Sequence, residues 1–383
     1  MRVKSKLKVL LMIYAIAPYR IPLFNCIHQK GDFDFKVISL SEKEKNRDWQ
    51  ILENNIKFNQ EILPGLHFFI YGEKKEIPIH LNGRVFEKLR NYNPDIIITD
   101  GYDSLAYWQA FFYCKIFKKK YILWNETSLL STDSVAGIKG MLKKFIISRS
   151  NSFVAMGQKA KEYLEYFRVN PKNIFTSLNT VDVEYFREEA LKLKKDKNIL
   201  NERKKYPKIL FLYVGQLIKR KGIKQILKAL NALGDKEVGL LIVGNGPEEK
   251  ELKKFCTENV ILNVFFREFC QQSELVSYYA LADSFILSSL SEVWGLVVNE
   301  ALASGLYVLC SKYAGVAYDL IKEGWNGKLF NPNNIDEFAQ VIKQTKEEIH
   351  SIRNRREAIS QHASREFCIK DSAQAFMEAI KNV

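Results

Sequence analysis

No two of the six cysteines, at positions 26, 114, 256, 270, 310 and 368, stand at C-x-x-C spacing, and no histidine lies near any pair of them. That excludes a zinc site of the usual spacing and a disulfide framework, and reads as buried thiols in a reducing compartment. Glycine and proline are sparse, at 19 and 9 of 383 residues, which excludes a linker-dominated or collagen-like chain. No run of 18 or more apolar residues occurs, so no transmembrane helix is expected. Histidine is scarce too, with five residues at 28, 67, 80, 350 and 362.

What is present is an ordinary globular composition: 47% hydrophobic and 27% charged. The length suits two domains and a core that needs no covalent staples. The net charge of +14 is uneven. Residues 1–200 hold 33 Lys and Arg against 22 Asp and Glu, and residues 201–383 hold 25 against 22. A basic first half points to an anionic partner there. Nucleic acid is not expected as that partner, because no zinc-finger or RNA-recognition signature accompanies the charge. The start, with Arg2, Lys4, Lys6 and Lys8 before the apolar Val9–Ala17, has the outline of a signal peptide. The same residues also read as a buried first strand, Lys8–Ile16.

Short apolar runs alternate with helical patterns. Strands are expected at Val9–Ile13, Phe35–Ser39, Ile96–Thr99, Tyr121–Trp124 and Phe153–Ala155. A second set follows at Ile209–Val214, Gly239–Val243, Val264–Phe266, Ser284–Leu287 and Tyr307–Cys310. Continuous apolar runs suit parallel strands covered on both faces. The repeated βα order predicts an α/β protein with two Rossmann-like, doubly wound domains. The first would span 1–187. The charged stretch 188–207 reads as a linker, 208–365 as the second domain, and 366–383 as a terminal helix returning to the first domain.

Residues 284–305 read SFILSSLSEVWGLVVNEALASG. A strand ends at Leu287, a loop carries Glu292, and a helix starts near Gly295 with Glu300 inside it. Backbone N–H groups at such a helix start bind anions. Two carboxylates beside them suit a ligand rich in hydroxyls. A second segment, Val214-Gly215-Gln216-Leu217-Ile218-Lys219-Arg220-Lys221-Gly222, also joins a strand to a helix. Leu241–Pro247 (LIVGNGP) forms a third such turn.

Together these motifs resemble glycosyltransferase family 4, retaining enzymes of GT-B architecture in which two Rossmann-like domains face each other across a cleft. The resemblance is strong over about residues 207–335. It implies that Glu300 holds ribose hydroxyls of a nucleotide-sugar and that Glu292 contacts the donor sugar. The backbone of Gly295, Leu296 and Val297 would face the diphosphate and sugar. Gly215, Gln216, Arg220 and Lys221 would form the phosphate loop, with Lys221 neutralising the leaving diphosphate. The family often has Arg at the position of Gln216, so Arg220 is the candidate replacement. Phe266–Phe269 stands where the family usually has Gly near the base pocket. In the first half, Ala17–Phe24 resembles a subgroup that builds bacterial surface polysaccharides, which makes Arg20 a candidate acceptor or phosphate contact. Many family members have a histidine after the fourth strand. This chain has Leu123–Ser128 there, leaving Asn125 and Glu126 as the residues to take over. Asn179–Asp182 resembles the family's N-x-V-D turn, with the Asp as a cap.

The resemblance therefore implies a retaining, metal-independent glycosyltransferase using a nucleoside diphosphate sugar, UDP-sugar favoured, and a glycan or lipid-linked acceptor. The nucleotide-sugar is a substrate, and no cofactor is expected. Asp32-Phe33-Asp34 has the spacing of a metal-binding D-x-D but opens a strand, and it is not read as a metal site. Two basic, apolar segments, 111–120 and 134–149, suit an anionic membrane surface. They suggest a cytoplasmic protein held peripherally on the cytoplasmic face of the inner membrane. The alternative is a catalytically impaired homologue that binds nucleotide-sugar or acts as a scaffold.

Overall fold

The computed structural model describes residues 6–42, 53–71, 76–131 and 135–383. The chain divides into two compact units, one formed by Met1–Asn179 with Ile369–Val383, the other by Thr180–Cys368.

The first unit is built on seven parallel strands: β1 (Leu7–Ile13), β2 (Phe33–Ser39), β3 (Asn59–Ile62), β6 (Ile96–Asp100), β7 (Lys120–Asn125), β8 (Ser152–Met156) and β9 (Ile174–Ser177). Their order is β3-β2-β1-β6-β7-β8-β9. A separate antiparallel pair, β4 (Gly65–Tyr71) and β5 (Glu76–Asn82), lies between β3 and β6 in the chain. β1 is an inner strand, paired with β2 and β6, and Val9 to Ile13 are buried. That explains a run without polar alternation.

The terminal helix Ile369–Lys381 is part of this unit. Phe376 meets the Trp124 ring edge-on, with centroids 5.0 Å apart. Ser372 Oγ donates to the Leu178 carbonyl, and Ser177 Oγ donates to the Ser372 carbonyl. Trp124 and Phe376 are fully buried.

The second unit has six parallel strands: β10 (Ile209–Val214), β11 (Val238–Val243), β12 (Val264–Arg267), β13 (Ser284–Leu287), β14 (Tyr307–Ser311) and β15 (Gly327–Phe330). Their order, β12-β11-β10-β13-β14-β15, is the doubly wound arrangement, with the chain reversing direction across the sheet between β10 and β13.

Two expectations need correction. The first domain ends at Asn179 rather than 187, and 188–207 is not a linker. Most of it lies in the helices Val183–Leu193 and Lys197–Arg203 of the second unit. Asp182 caps the first by accepting from Tyr185 N at 3.1 Å, and Asp196 caps the second through Asn198 N at 2.8 Å. Val183, Phe186 and Ala190 bury one face, and Phe186 meets Tyr279 at 5.9 Å. Glu188, Lys192, Lys195, Lys197, Lys204 and Lys205, which suggested a linker, are exposed along this stretch, while Lys194 and Arg203 turn inward to the Ser304 carbonyl and Asp283. The second unit accordingly spans Thr180–Cys368 rather than 208–365.

Replacing Phe376 by Ala removes a buried ring and should cost about 3–5 kcal/mol, whereas Phe376→Leu should cost about 1–2 kcal/mol. Denaturant unfolding followed by tryptophan fluorescence measures both.

Candidate functional site

The reversal between β10 and β13 splays two loops apart at the carboxyl ends of these strands, where open α/β sheets form ligand sites. The loop after β10 closes in a 3₁₀ turn, Lys219–Lys221, followed by Gly222 at φ 69° as the cap of helix Ile223–Leu233. A Cβ on Gly222 would stand 2.2 Å from the Ser288 carbonyl oxygen, so only glycine lets the two loops touch. They are further tied by Leu290 N donating to the Arg220 carbonyl (2.7 Å) and Ser288 Oγ donating to the Lys221 carbonyl (2.8 Å).

This contact brings the charged groups together. Glu292 accepts from Lys221 Nζ through Oε2, and Arg220 Nη1 and Ser289 Oγ approach the same oxygen at 3.4 and 3.2 Å. Burial pushes the Glu292 carboxyl up, but the Lys221 and Arg220 charges outweigh it and hold it below the usual carboxylate range. The Glu292 backbone is pinned to the loop after β14, its N–H donating to the Tyr313 carbonyl and its carbonyl accepting from Gly315 N.

Gly295, at φ 109°, starts helix Leu296–Ala303. That conformation is open to glycine and strained for other residues. Leu296 and Val297 are half-buried in the first turn, whose N–H groups form the positive end of the helix. Glu300 lies farther along the helix and accepts from Tyr279 Oη at 2.6 Å. Burial raises its pKa to about 7, against the lowering effect of that hydrogen bond. At Gln216, the backbone carbonyl accepts from Tyr213 Oη at 3.0 Å. Arg267, in the segment expected near a base, points Nη2 to Tyr206 Oη at 3.0 Å.

In the first unit, the turn after β1 delivers Arg20, which is 4% exposed. Its guanidinium lies 4.3 Å from the Trp124 ring centroid and pairs with the Glu126 carboxylate. Desolvation opposes its charge, but Glu126 and other nearby groups outweigh that and raise its pKa. Asn125 is not poised like Glu126. It is 1% exposed, and its Nδ2 donates to the Thr127 and Ala160 carbonyls at 2.9 and 3.2 Å. Its Nδ2 fastens the loop, while its Oδ1 is buried without a hydrogen-bond partner.

Three partners escaped sequence reasoning: Tyr279 on Glu300, Ser289 on Glu292, and the Trp124 face on Arg20. Tyr279 and Ser289 lie within or beside recognisable segments, but nothing in the sequence pairs them with a carboxylate. Asp32 is on the surface, with its side chain 98% exposed. Among the described residues no group of three or more His, Cys, Asp or Glu could hold a metal ion.

Residues 194–381, just under half of the chain, match the family model for glycosyl transferases group 1. The chain is 33% identical over 141 residues to the sulfoquinovosyl transferase of Arabidopsis thaliana, a match covering 36% of this chain and 26% of that protein. It is 24% identical over 319 residues to an uncharacterized glycosyltransferase of Methanocaldococcus jannaschii, covering 78% of this chain and 77% of that one. Among solved structures, Anabaena HepE in complex with UDP superposes with a TM-score of 0.76 at 18% identity, over 98% of this chain and all of that one. HepE has also been solved with UDP-glucose. At such identity the likeness speaks for the fold alone, which is GT-B.

The raised Glu300 pKa predicts a pH-dependent stability. Between about pH 4.5 and 7 the folded protein keeps this proton and the unfolded chain releases it, so stability falls as pH rises through that window. Glu300→Gln should flatten that contribution, on the order of 2–3 kcal/mol, in melting curves recorded from pH 5 to 8.

Proposed function

We propose that this chain, whose residues 194–381 belong to the glycosyl transferases group 1 family, transfers a sugar from a UDP-sugar to a glycan or lipid-linked acceptor with retention at the anomeric carbon. The reading rests above all on one observation: Lys221 and Arg220 converge on a single Glu292 oxygen at the carboxyl ends of β10 and β13. A cationic pair beside a helix start suits a diphosphate leaving group. The HepE complexes with UDP and UDP-glucose, on the same fold, favour uridine as the donor base.

In this reading the protein works electrostatically and by positioning. Lys221, Arg220 and the backbone at Gly295–Val297 take up the charge that grows on the diphosphate. Glu292 accepts hydroxyls of the donor sugar, and Glu300 those of the ribose. The bond from the anomeric carbon to the phosphate oxygen breaks, and a bond to the acceptor oxygen forms on the same face. The acceptor's proton passes to the departing phosphate oxygen, so no strong protein base is required. Arg20 and Glu126 in the first unit are the candidate acceptor contacts. No metal takes part.

Lys221→Ala should lower kcat/KM for UDP-sugar turnover by about 100-fold or more, roughly the loss from one transition-state cation or donor. Release of nucleoside diphosphate from UDP-, GDP- and ADP-sugars, with and without acceptor, measures this. Donor binding without any release across a panel of acceptors would instead favour a nucleotide-sugar-binding protein.

We also propose a peripheral membrane contact on the first unit, where the surface of two helices combines apolar and basic residues. Helix Gly137–Arg149 exposes Ile138, Met141 and Leu142, and helix Leu105–Ile116 exposes Phe112 and Ile116. Phe145 stacks on Trp108 at 6.4 Å, joining the two. Lys118, Lys120, Lys139, Lys144 and Arg149 are exposed nearby in sequence. Of the expected 134–149 segment, Ser134 lies outside the described residues. No helix among the described residues is long and apolar enough to cross a membrane. Sedimentation with phosphatidylglycerol vesicles should exceed that with phosphatidylcholine, each basic residue at the surface contributing about 1 kcal/mol. The double variant Ile138→Glu/Met141→Glu should lose it while keeping its melting temperature.

A further inference from the structure

At the opposite, amino ends of β10 and β13 lies a cavity of about 490 Å³ within the second unit. That volume is in the range of small-molecule sites, about 300–1,000 Å³. Its wall is unusually basic. Lys194, Arg203, Arg353 and Arg356 line it together with Lys204 and Lys208, and the one carboxylate among the lining residues is Asp283.

Asp283 is itself well satisfied. Its side chain is 5% exposed and accepts from Leu210 N (2.9 Å), Arg203 Nη2 (2.8 Å), Arg353 Nε (3.0 Å) and Arg356 Nη2 (3.3 Å). Three guanidiniums on one carboxylate exceed what neutralising it requires. Arg356 Nε is buried without a hydrogen-bond partner. Lys194 Nζ donates to a neutral group, the Ser304 carbonyl, at 2.9 Å. Burial, then the Arg356 charge, lowers the Lys194 pKa to about 7, with Asp283 only partly compensating. A structural anchor for Asp283 explains the three arginines but not the lysine beside them. The arginines also donate to the Pro207, Lys208 and Ala282 carbonyls, yet the positive charge in this concave space exceeds its one carboxylate. That is the chemistry that takes up phosphate, because guanidiniums and ammonium groups donate to its oxygens with charge-assisted hydrogen bonds. Ile199, Leu200 and Leu281 give the same cavity an apolar wall.

We propose that this cavity binds a small phosphorylated metabolite, its phosphate held by Lys194 and Arg356 and its remaining body against Ile199 and Leu200. The site is separate from the candidate donor loops, which lie at the other ends of the same two strands. It stands whether or not the donor reading holds.

Isothermal titration calorimetry at constant ionic strength tests it, with orthophosphate and glucose 6-phosphate as probes and the Lys221→Ala protein in the cell, so that the donor loop contributes little. Both probes should bind, glucose 6-phosphate more tightly. Lys194→Gln, which keeps a donor for the Ser304 carbonyl, should weaken both by tenfold or more, and the exposed-residue change Lys204→Ala by a smaller factor. Near pH 8, binding should take up a proton, because the phosphate favours the charged form of Lys194 over the opposition of Arg356. Comparing heats in buffers of different ionisation enthalpy reads that uptake. Absence of binding by both probes, or equal affinity in Lys194→Gln, would overturn the proposal. Binding of orthophosphate without glucose 6-phosphate would overturn the assigned ligand class.

Discussion

The parallel pairing of β10 with β13 is the constraint on which the second unit depends. Strand order forces the chain to leave β10 toward one side of the sheet and to return from β13 toward the other. Two loops therefore part at the carboxyl ends, and a gap opens that neither fills. The closeness of Gly222 to the Ser288 carbonyl keeps that gap narrow at its floor. Without it, residues 71 positions apart, Lys221 and Glu292, could not share a proton-bearing contact. The same pairing sets Asp283 opposite Leu210 at the amino ends, where Leu210 N donates to its carboxylate. One topological fact thus organises the charge at both ends of the sheet.

Glu292 and Glu300 show how little burial decides by itself. Desolvation is the largest influence on each and pushes both carboxyls upward. Glu292 has two cations to overturn it, while Glu300 has one phenol. One carboxylate is therefore firmly ionised and the other sits near neutrality in its titration. Arg20 follows the logic of Glu292 with the signs exchanged, since Glu126 and an aromatic face compensate its loss of water.

Nine of the ten strands read from sequence are inner strands of their sheets, and β10 and β11 are almost wholly apolar; the tenth, β12, lies at an edge but still reads VFF. The five that went unread, β3, β4, β5, β9 and β15, are an antiparallel pair and three short strands at sheet edges. An edge strand such as β3, reading NQEI, carries no apolar signal because it has one neighbour and much solvent. The 188–207 stretch misled for the opposite reason, because helix Val183–Leu193, which buries one narrow face, looks like a linker when its charges are counted. At the candidate site, the loops and their carboxylates were legible through local motifs. The partnership of Tyr279 with Glu300, and the fastening part played by Asn125, depend on chain segments that meet only after folding.

The helix Ile369–Lys381 belongs to the unit that the chain began with, so the polypeptide passes from the first unit to the second at Asn179 and returns after Cys368. On the ribosome, the face of Trp124 that Phe376 covers must wait while the whole second unit is made. The second unit is continuous in sequence and can complete its core as it emerges; the first cannot close until the helix Ile369–Lys381 has been made. This helix thus acts as a completeness check on the first unit: a chain cut short before Phe376 would leave the face of Trp124 open to chaperones and proteases.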